Sequence, residues 1–131
     1  MIKEKIKELT KAEEQIMQIL WDIEKGFIKD IVEKLPNPKP AYNTVSTIVR
    51  ILEKKGFINH KAYGNTYEYF PVISKKNYTK EFMGGLVKNY FSNSYRQMVS
   101  FFTKENSLSL NELEEIKQIM EKEINKQKKI K

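Results

Sequence analysis

NPKPAYNTVSTIVRILEKKGFI, residues 37–58, is the stretch that decides how the rest of the chain is read. Pro36, Pro38 and Pro40 each lack an N–H and restrain the residue before them, so no helix continues through them. A new helix is predicted to start near Ala41. Val45, Ile48, Val49 and Leu52 recur at the spacing of one buried helical stripe. Gly56 ends the helix, with Lys54 and Lys55 in its last turn, where cations suit the helix dipole. A helix that only packs does not need Asn43, Thr44, Ser46 and Thr47 crowded into its first turns. The reading is that these side chains are kept free for a partner.

Upstream, Thr10-Lys11-Ala12-Glu13 fits a capping box, and Ala12, Ile16, Ile19, Leu20 and Ile23 follow at helical spacing. A first helix is expected from about Lys11 to Ile23, stopped at Gly26. Phe27, Ile28, Ile31, Val32 and Leu35 define a second, shorter one. Downstream, FINHKAYGNTYEYFPV (57–72) reads as two antiparallel strands joined at Gly64-Asn65 and closed by Pro71. Ser74 caps a helix carrying Tyr78, Phe82, Leu86, Val87, Tyr90 and Phe91. Gly84-Gly85 is expected to make it irregular. Asn93 or Ser94 starts another, with Tyr95, Met98, Val99, Phe101 and Phe102. Ser109 to Glu112 form a second capping box opening a final helix with Leu113, Ile116, Ile119, Met120 and Ile124, and the basic tail NKQKKIK (125–131) is expected to fray.

The fold class predicted is therefore mostly α with a small β-hairpin. Residues 1–73 form a winged helix-turn-helix head. Residues 74–131 form a helical region that cannot hide its own Phe, Tyr, Leu and Ile, and such exposed stripes signal an interface. We read it as a dimerisation region, with Phe82, Leu86, Tyr90, Met98, Phe102, Leu113, Ile116 and Met120 as its contact residues.

Composition narrows the function. The 131 residues contain no cysteine, which excludes disulfides, thiol nucleophiles and thiolate metal sites. No apolar run reaches the roughly 20 residues that span a bilayer. The N-terminal MIKEKIKELT lacks the apolar core of a signal peptide, so the cytoplasm is the expected address. The net charge is +7, unevenly spread. Residues 10–35 carry 4 Lys against 6 Asp and Glu, whereas residues 39–61 carry Lys39, Arg50, Lys54, Lys55 and Lys61 against Glu53 alone. One-sided positive charge of this kind is the footprint of a phosphate-binding face. In a helix-turn-helix the N-terminal part of the second motif helix enters the major groove. Tyr42, Asn43, Thr44, Ser46, Thr47, Arg50 and Lys54 are accordingly assigned to DNA contact. Lys61, Tyr63 and Asn65, with Thr66, are placed at the tip of the wing, where they can reach backbone or minor groove. For each residue a purely structural use stays open: Asn43 as a cap, the tyrosines as cross-strand packing.

LTKAEEQIMQILW (9–21), DIVEKL (30–35), YNTVSTIVRILEKKGFI (42–58) and YEYFP (67–71) together resemble the penicillinase and methicillin-resistance repressors, the BlaI/MecI type. MVSFFTKENSLSLNELEEI (98–116) extends the resemblance more loosely. It implies a homodimeric repressor on a palindromic double-stranded operator, held together by its C-terminal helices; no cofactor or metal is expected. It also implies release from DNA by proteolytic cleavage through a membrane sensor-protease. The matching stretch VSFFTK puts the candidate scissile bond at Phe101–Phe102, where the family usually carries Asn before the Phe. Ser46 and Ile51 stand where the resistance repressors carry basic residues, which implies a different operator sequence.

Two other classes compete. A winged-helix regulator could bind a small effector between head and dimer region, with Trp21 and the aromatics from Tyr78 to Phe102 as lining; packing of the first helix is the simpler use for Trp21. A protein-docking module would use the third helix on a protein. An enzyme is the weakest class, because His60 is the one histidine and is better read as a hydrogen-bonded strand residue than as a catalyst.

Overall fold

The computed structural model describes residues 8–105 and 107–130. Its order is α1 (Lys11–Ile23), α2 (Ile28–Lys34), α3 (Tyr42–Lys54), β1 (Ile58–Tyr63), β2 (Thr66–Pro71), α4 (Lys75–Tyr90), α5 (Tyr95–Glu105) and α6 (Leu110–Ile130). The chain divides into two compact units, residues 1–85 and 86–131.

In the first unit α1 begins as its capping box dictates. Glu13 N–H donates to Thr10 Oγ1 at 3.2 Å, and Thr10 N–H donates to Glu13 Oε1 at 2.9 Å. The buried stripe of α1 is Glu13, Ile16, Met17 and Leu20, so it lies one position round from the expected one, and Ala12 is exposed. The reason is long-range: Lys55 Nζ, at the end of α3, lies 2.8 Å from Glu13 Oε1 and 2.9 Å from Oε2. A carboxylate with that partner can turn inward.

Helix α1 does not stop on Gly26. Glu24 takes the positive φ of 75° at its C-cap, and Gly26 serves the sheet. Its N–H donates to Tyr69 O at 2.9 Å and its carbonyl accepts from Tyr69 N–H at 2.8 Å. A Cβ there would lie 2.8 Å from Ile23 Cδ1, so a larger residue would require that side-chain tip to shift. Lys39 reaches back to close α2, donating from Nζ to the carbonyls of Leu35 and Glu33, both at 2.8 Å.

Strands β1 and β2 pair antiparallel from Ile58 opposite Pro71 to Tyr63 opposite Thr66. Their two-residue turn places Gly64 first, at φ 61°, the position glycine favours in a type II′ hairpin. The core gathers Ile16, Met17 and Leu20 of α1, Ile28 and Ile31 of α2, Val45, Val49 and Leu52 of α3, with Leu35, Phe57, Ile58 and Tyr69. Three short helices and a wing around one core make a winged helix-turn-helix. Head packing continues beyond residue 73: Tyr78 joins the core cluster, with ring centroids 5.7 Å from Trp21 and 5.8 Å from Phe57.

Ser74, Ser94 and Ser109 cap α4, α5 and α6 through their hydroxyls, at 3.0, 3.1 and 3.1 Å from the amides of Asn77, Gln97 and Glu112. Two expectations are corrected here. Helix α4 runs without a break through Gly84 and Gly85, since neighbouring helix formers carry the pair. The basic tail does not fray: α6 stays helical to Ile130, Lys131 lying outside the described residues. Lys and Gln are good helix formers, and late cations suit the dipole. Among the described residues no helix is long and apolar enough to cross a membrane.

Candidate nucleic-acid interface

Helix α3 is held by one side and free on the other. Val45, Val49 and Leu52 are buried, Ile48 is half-buried, and Tyr42, Asn43, Thr44, Thr47, Arg50 and Lys54 are exposed. Ser46 is the exception to the expected outward set. It is buried at 8% exposure, and its expected outward position is corrected. A four-residue step advances about 40° around a helix of 3.6 residues per turn. The row Ser46, Arg50, Lys54 therefore starts against the core and reaches solvent only at Arg50.

The N-terminal end of α3 is open. Ala41 is the N-cap and provides no side-chain cap, and the first bond inside the helix is Val45 N–H to Ala41 O at 3.1 Å. The amides of Tyr42, Asn43 and Thr44 therefore have no partner within the helix, which is the arrangement that attracts phosphate. Asn43 sits inside the first turn and does not cap. Thr47 is exposed, but its Oγ1 donates to Asn43 O at 3.0 Å.

The wing is tied to this helix. Glu53, on α3, hydrogen-bonds His60 Nδ1 on β1, and His60 stacks on Tyr67 with centroids 4.1 Å apart. The histidine is thus a structural strand residue. Burial, then the Glu53 charge, holds the Tyr69 phenol above its ordinary range, with Arg50 acting in the opposite direction. Lys61 Nζ lies 5.3 Å from the centre of the Tyr63 ring, and that ring packs on Phe27 at 64° with centroids 6.0 Å apart. Asn65 is exposed in the turn, and Thr66 Oγ1 donates to Tyr63 O at 2.9 Å.

The sequence overcounts the free charge. Lys39 is committed to the carbonyls closing α2 and Lys55 to Glu13. Exposed and without such a partner are Arg50 and Lys54 on α3 and Lys61 on the wing, while Lys39 is exposed but tied to α2. Trp21 is committed as well: its Nε1 donates to Ile73 O at 2.8 Å, the packing role the sequence favours.

Among the residues assigned to dimerisation, Phe82 belongs to the first unit and is exposed. In the second unit Tyr90, Phe102, Leu113 and Met120 are exposed and Leu86, Met98 and Ile116 half-buried. Phe101 and Phe102 lie inside α5, with Phe101 against Phe91 at 5.6 Å between centroids.

A three-helix head that offers the outer side of its third helix beside a two-stranded wing defines the winged-helix class. Within that class the chain belongs to the penicillinase repressor family, whose sequence profile matches residues 9–122. It is 26% identical over 125 residues to the penicillinase repressor of Bacillus licheniformis, covering 95% of this chain and 98% of that one. It is 24% identical over 116 residues to the methicillin resistance regulatory protein MecI of Staphylococcus aureus, covering 88% and 94%. Among solved structures, the DNA-binding domain of the repressor BlaI matches at a TM-score of 0.50 and 26% identity, over 58% of this chain and 94% of that domain.

Proposed function

We propose that this protein is a DNA-binding transcriptional repressor. It binds a palindromic operator as a homodimer, through α3 in the major groove and the wing against the adjacent backbone. The observation that carries the reading is the face of α3: Asn43, Thr44, Thr47, Arg50 and Lys54 exposed beside an open helix N-terminus, with Lys61 on the neighbouring wing. Membership of a family named for repression supports it. In this reading Tyr42, Tyr63 and Asn65 contact the sugar-phosphate backbone, and bases are read from Asn43, Thr44, Thr47 and Arg50.

The C-terminal helices supply the second half of the reading. One small head makes few contacts, and two joined heads bind a matched pair of half-sites as a unit. Cleavage at Phe101–Phe102, through a membrane sensor-protease, cuts within α5 and uncouples the heads. Linkage of this kind contributes roughly 10²–10⁴-fold to affinity, which is lost without any change at the DNA surface.

The test begins with duplexes selected by the full-length protein from a random pool. Binding followed by fluorescence anisotropy is expected to weaken steeply with salt. Arg50→Ala is expected to weaken it further by about 1–3 kcal/mol. Unchanged affinity in Arg50→Ala removes α3 from the interface.

A further inference from the structure

Ile51 is the one large aliphatic side chain on the solvent-facing arc of α3, and it is 42% exposed. Its neighbours there are polar or charged: Arg50 precedes it, Lys54 follows one turn on, and Thr47 lies one turn before. The exposed neighbours do not make the broad apolar patch that marks a protein-docking surface. Instead Thr44, Thr47 and Ile51 recur at i, i+3 and i+7, within about 60° of one another on one side of the arc. At about 1.5 Å per residue the row is about 10 Å long, close to three base-pair steps at about 3.4 Å each.

The chemistry of the row is less polar than its composition suggests. A threonine hydroxyl has one proton. That of Thr47 is donated to Asn43 O at 3.0 Å, so in this conformation Thr47 offers a methyl group and acceptor lone pairs but no donor. Two successive exposed members of the row, Thr47 and Ile51, therefore offer methyl groups and no side-chain donor, with Lys54 and Arg50 together on one side of them. Of the four standard bases only thymine carries a methyl group on its major-groove edge, and apolar side chains read it by contact.

We propose that Ile51 is a specificity-determining residue that reads the 5-methyl group of a thymine in each operator half-site, with Thr47 extending the same apolar contact. This rests on the DNA-binding reading above and deepens it. Arg50 and Lys54, together on one side of it, hold the helix against phosphate or guanine, and Ile51 discriminates between base pairs.

The test uses the full-length protein and the duplex it selects, with each thymine replaced singly by deoxyuridine. That substitution removes one methyl group, keeps the base pairing and leaves the protein untouched. One position per half-site is expected to weaken binding about four-fold, the value of one buried methyl group. Ile51→Ala is expected to weaken binding to the thymine duplex and to abolish the thymine-over-uracil preference at that position, giving a coupled double-mutant cycle. Retention of the full preference in Ile51→Ala overturns the proposal, as does the absence of any sensitive thymine. Either result, with Arg50→Ala still weakening binding, leaves the DNA-binding reading standing. Failure of the unmodified protein to bind any duplex in a salt-dependent way removes both.

Discussion

The head and the C-terminal unit use their apolar residues in opposite ways. In the head, Met17, Leu20, Ile31, Val49 and Leu52 are fully buried, and Glu13 turns inward with a partner. In the second unit Val87 is fully buried, yet α5 and α6 contain no buried residue at all. Leu110, Ile119, Met120 and Ile124 of α6 are all exposed. Burying a side chain of that size is worth about 1.5–3 kcal/mol, and α6 forgoes it several times within one chain. The difference is that the head carries its own core, whereas the apolar side chains of α5 and α6 stay exposed or half-buried.

The contrast can be broken most forcefully from the head. Leu20→Ala is expected to cost about 2–5 kcal/mol, because the site is close-packed and leaves a cavity; urea unfolding followed by Trp21 fluorescence measures it. In α6 the matching probe is Ile116→Asp. It is expected to leave the head transition within about 0.5 kcal/mol and to weaken self-association about ten-fold or more. Sedimentation equilibrium reads this directly, and a wild-type chain that stays monomeric at micromolar concentration would remove the proposed dimer.

What the sequence disclosed follows the same divide between local and distant causes. Caps, turns and stripes act over three or four residues, so α1 to α6, the Gly64-Asn65 hairpin and the serine caps were legible. The roles of single residues within the site were less so. Ser46 was misplaced because spacing by four drifts around the helix, and only the seating of α3 on the core shows where the drift crosses into solvent. Lys39 and Lys55 counted as DNA-facing charge because nothing local shows a lysine closing α2 or meeting a carboxylate 42 residues away. Gly26 looked like a helix stop until Tyr69, in another element, proved to be its partner. The Ser109 box was visible in sequence, but the persistence of α6 through its basic tail was not.

The Glu13–Lys55 pair sharpens the comparison by pH. Burial alone raises the Glu13 pKa. The Lys55 hydrogen bond, the Thr10 amide and the Lys55 charge together outweigh it and hold the carboxyl below its ordinary 4.5. A depressed carboxylate stabilises the fold above its unfolded pKa, and that contribution fades as pH falls through the lower, folded value. Acid unfolding of the head should therefore steepen below about pH 4.5. Lys55→Met is expected to cost about 1–3 kcal/mol at neutral pH and to flatten that acid dependence. Thermal melts of both proteins from pH 3 to 7 (roughly the carboxylate range) report the two effects together.

The smallest expected effects come from glycines, and their signs should differ between two positions in the first unit. Gly84 lies inside α4, and a Cβ there would meet nothing within 4 Å. Gly84→Ala should therefore stabilise by about 0.5–1 kcal/mol, by lowering the conformational freedom of the unfolded chain. Gly56 is equally open, yet its φ is +90°. Gly56→Ala should destabilise by about 1 kcal/mol, since an L side chain rarely adopts that backbone. Space around the residue is the same in both cases, so the opposite signs would isolate backbone conformation as the cause. Paired urea titrations resolve differences of this size. Destabilisation by Gly84→Ala would show that the continuous α4 is held by something other than helix propensity.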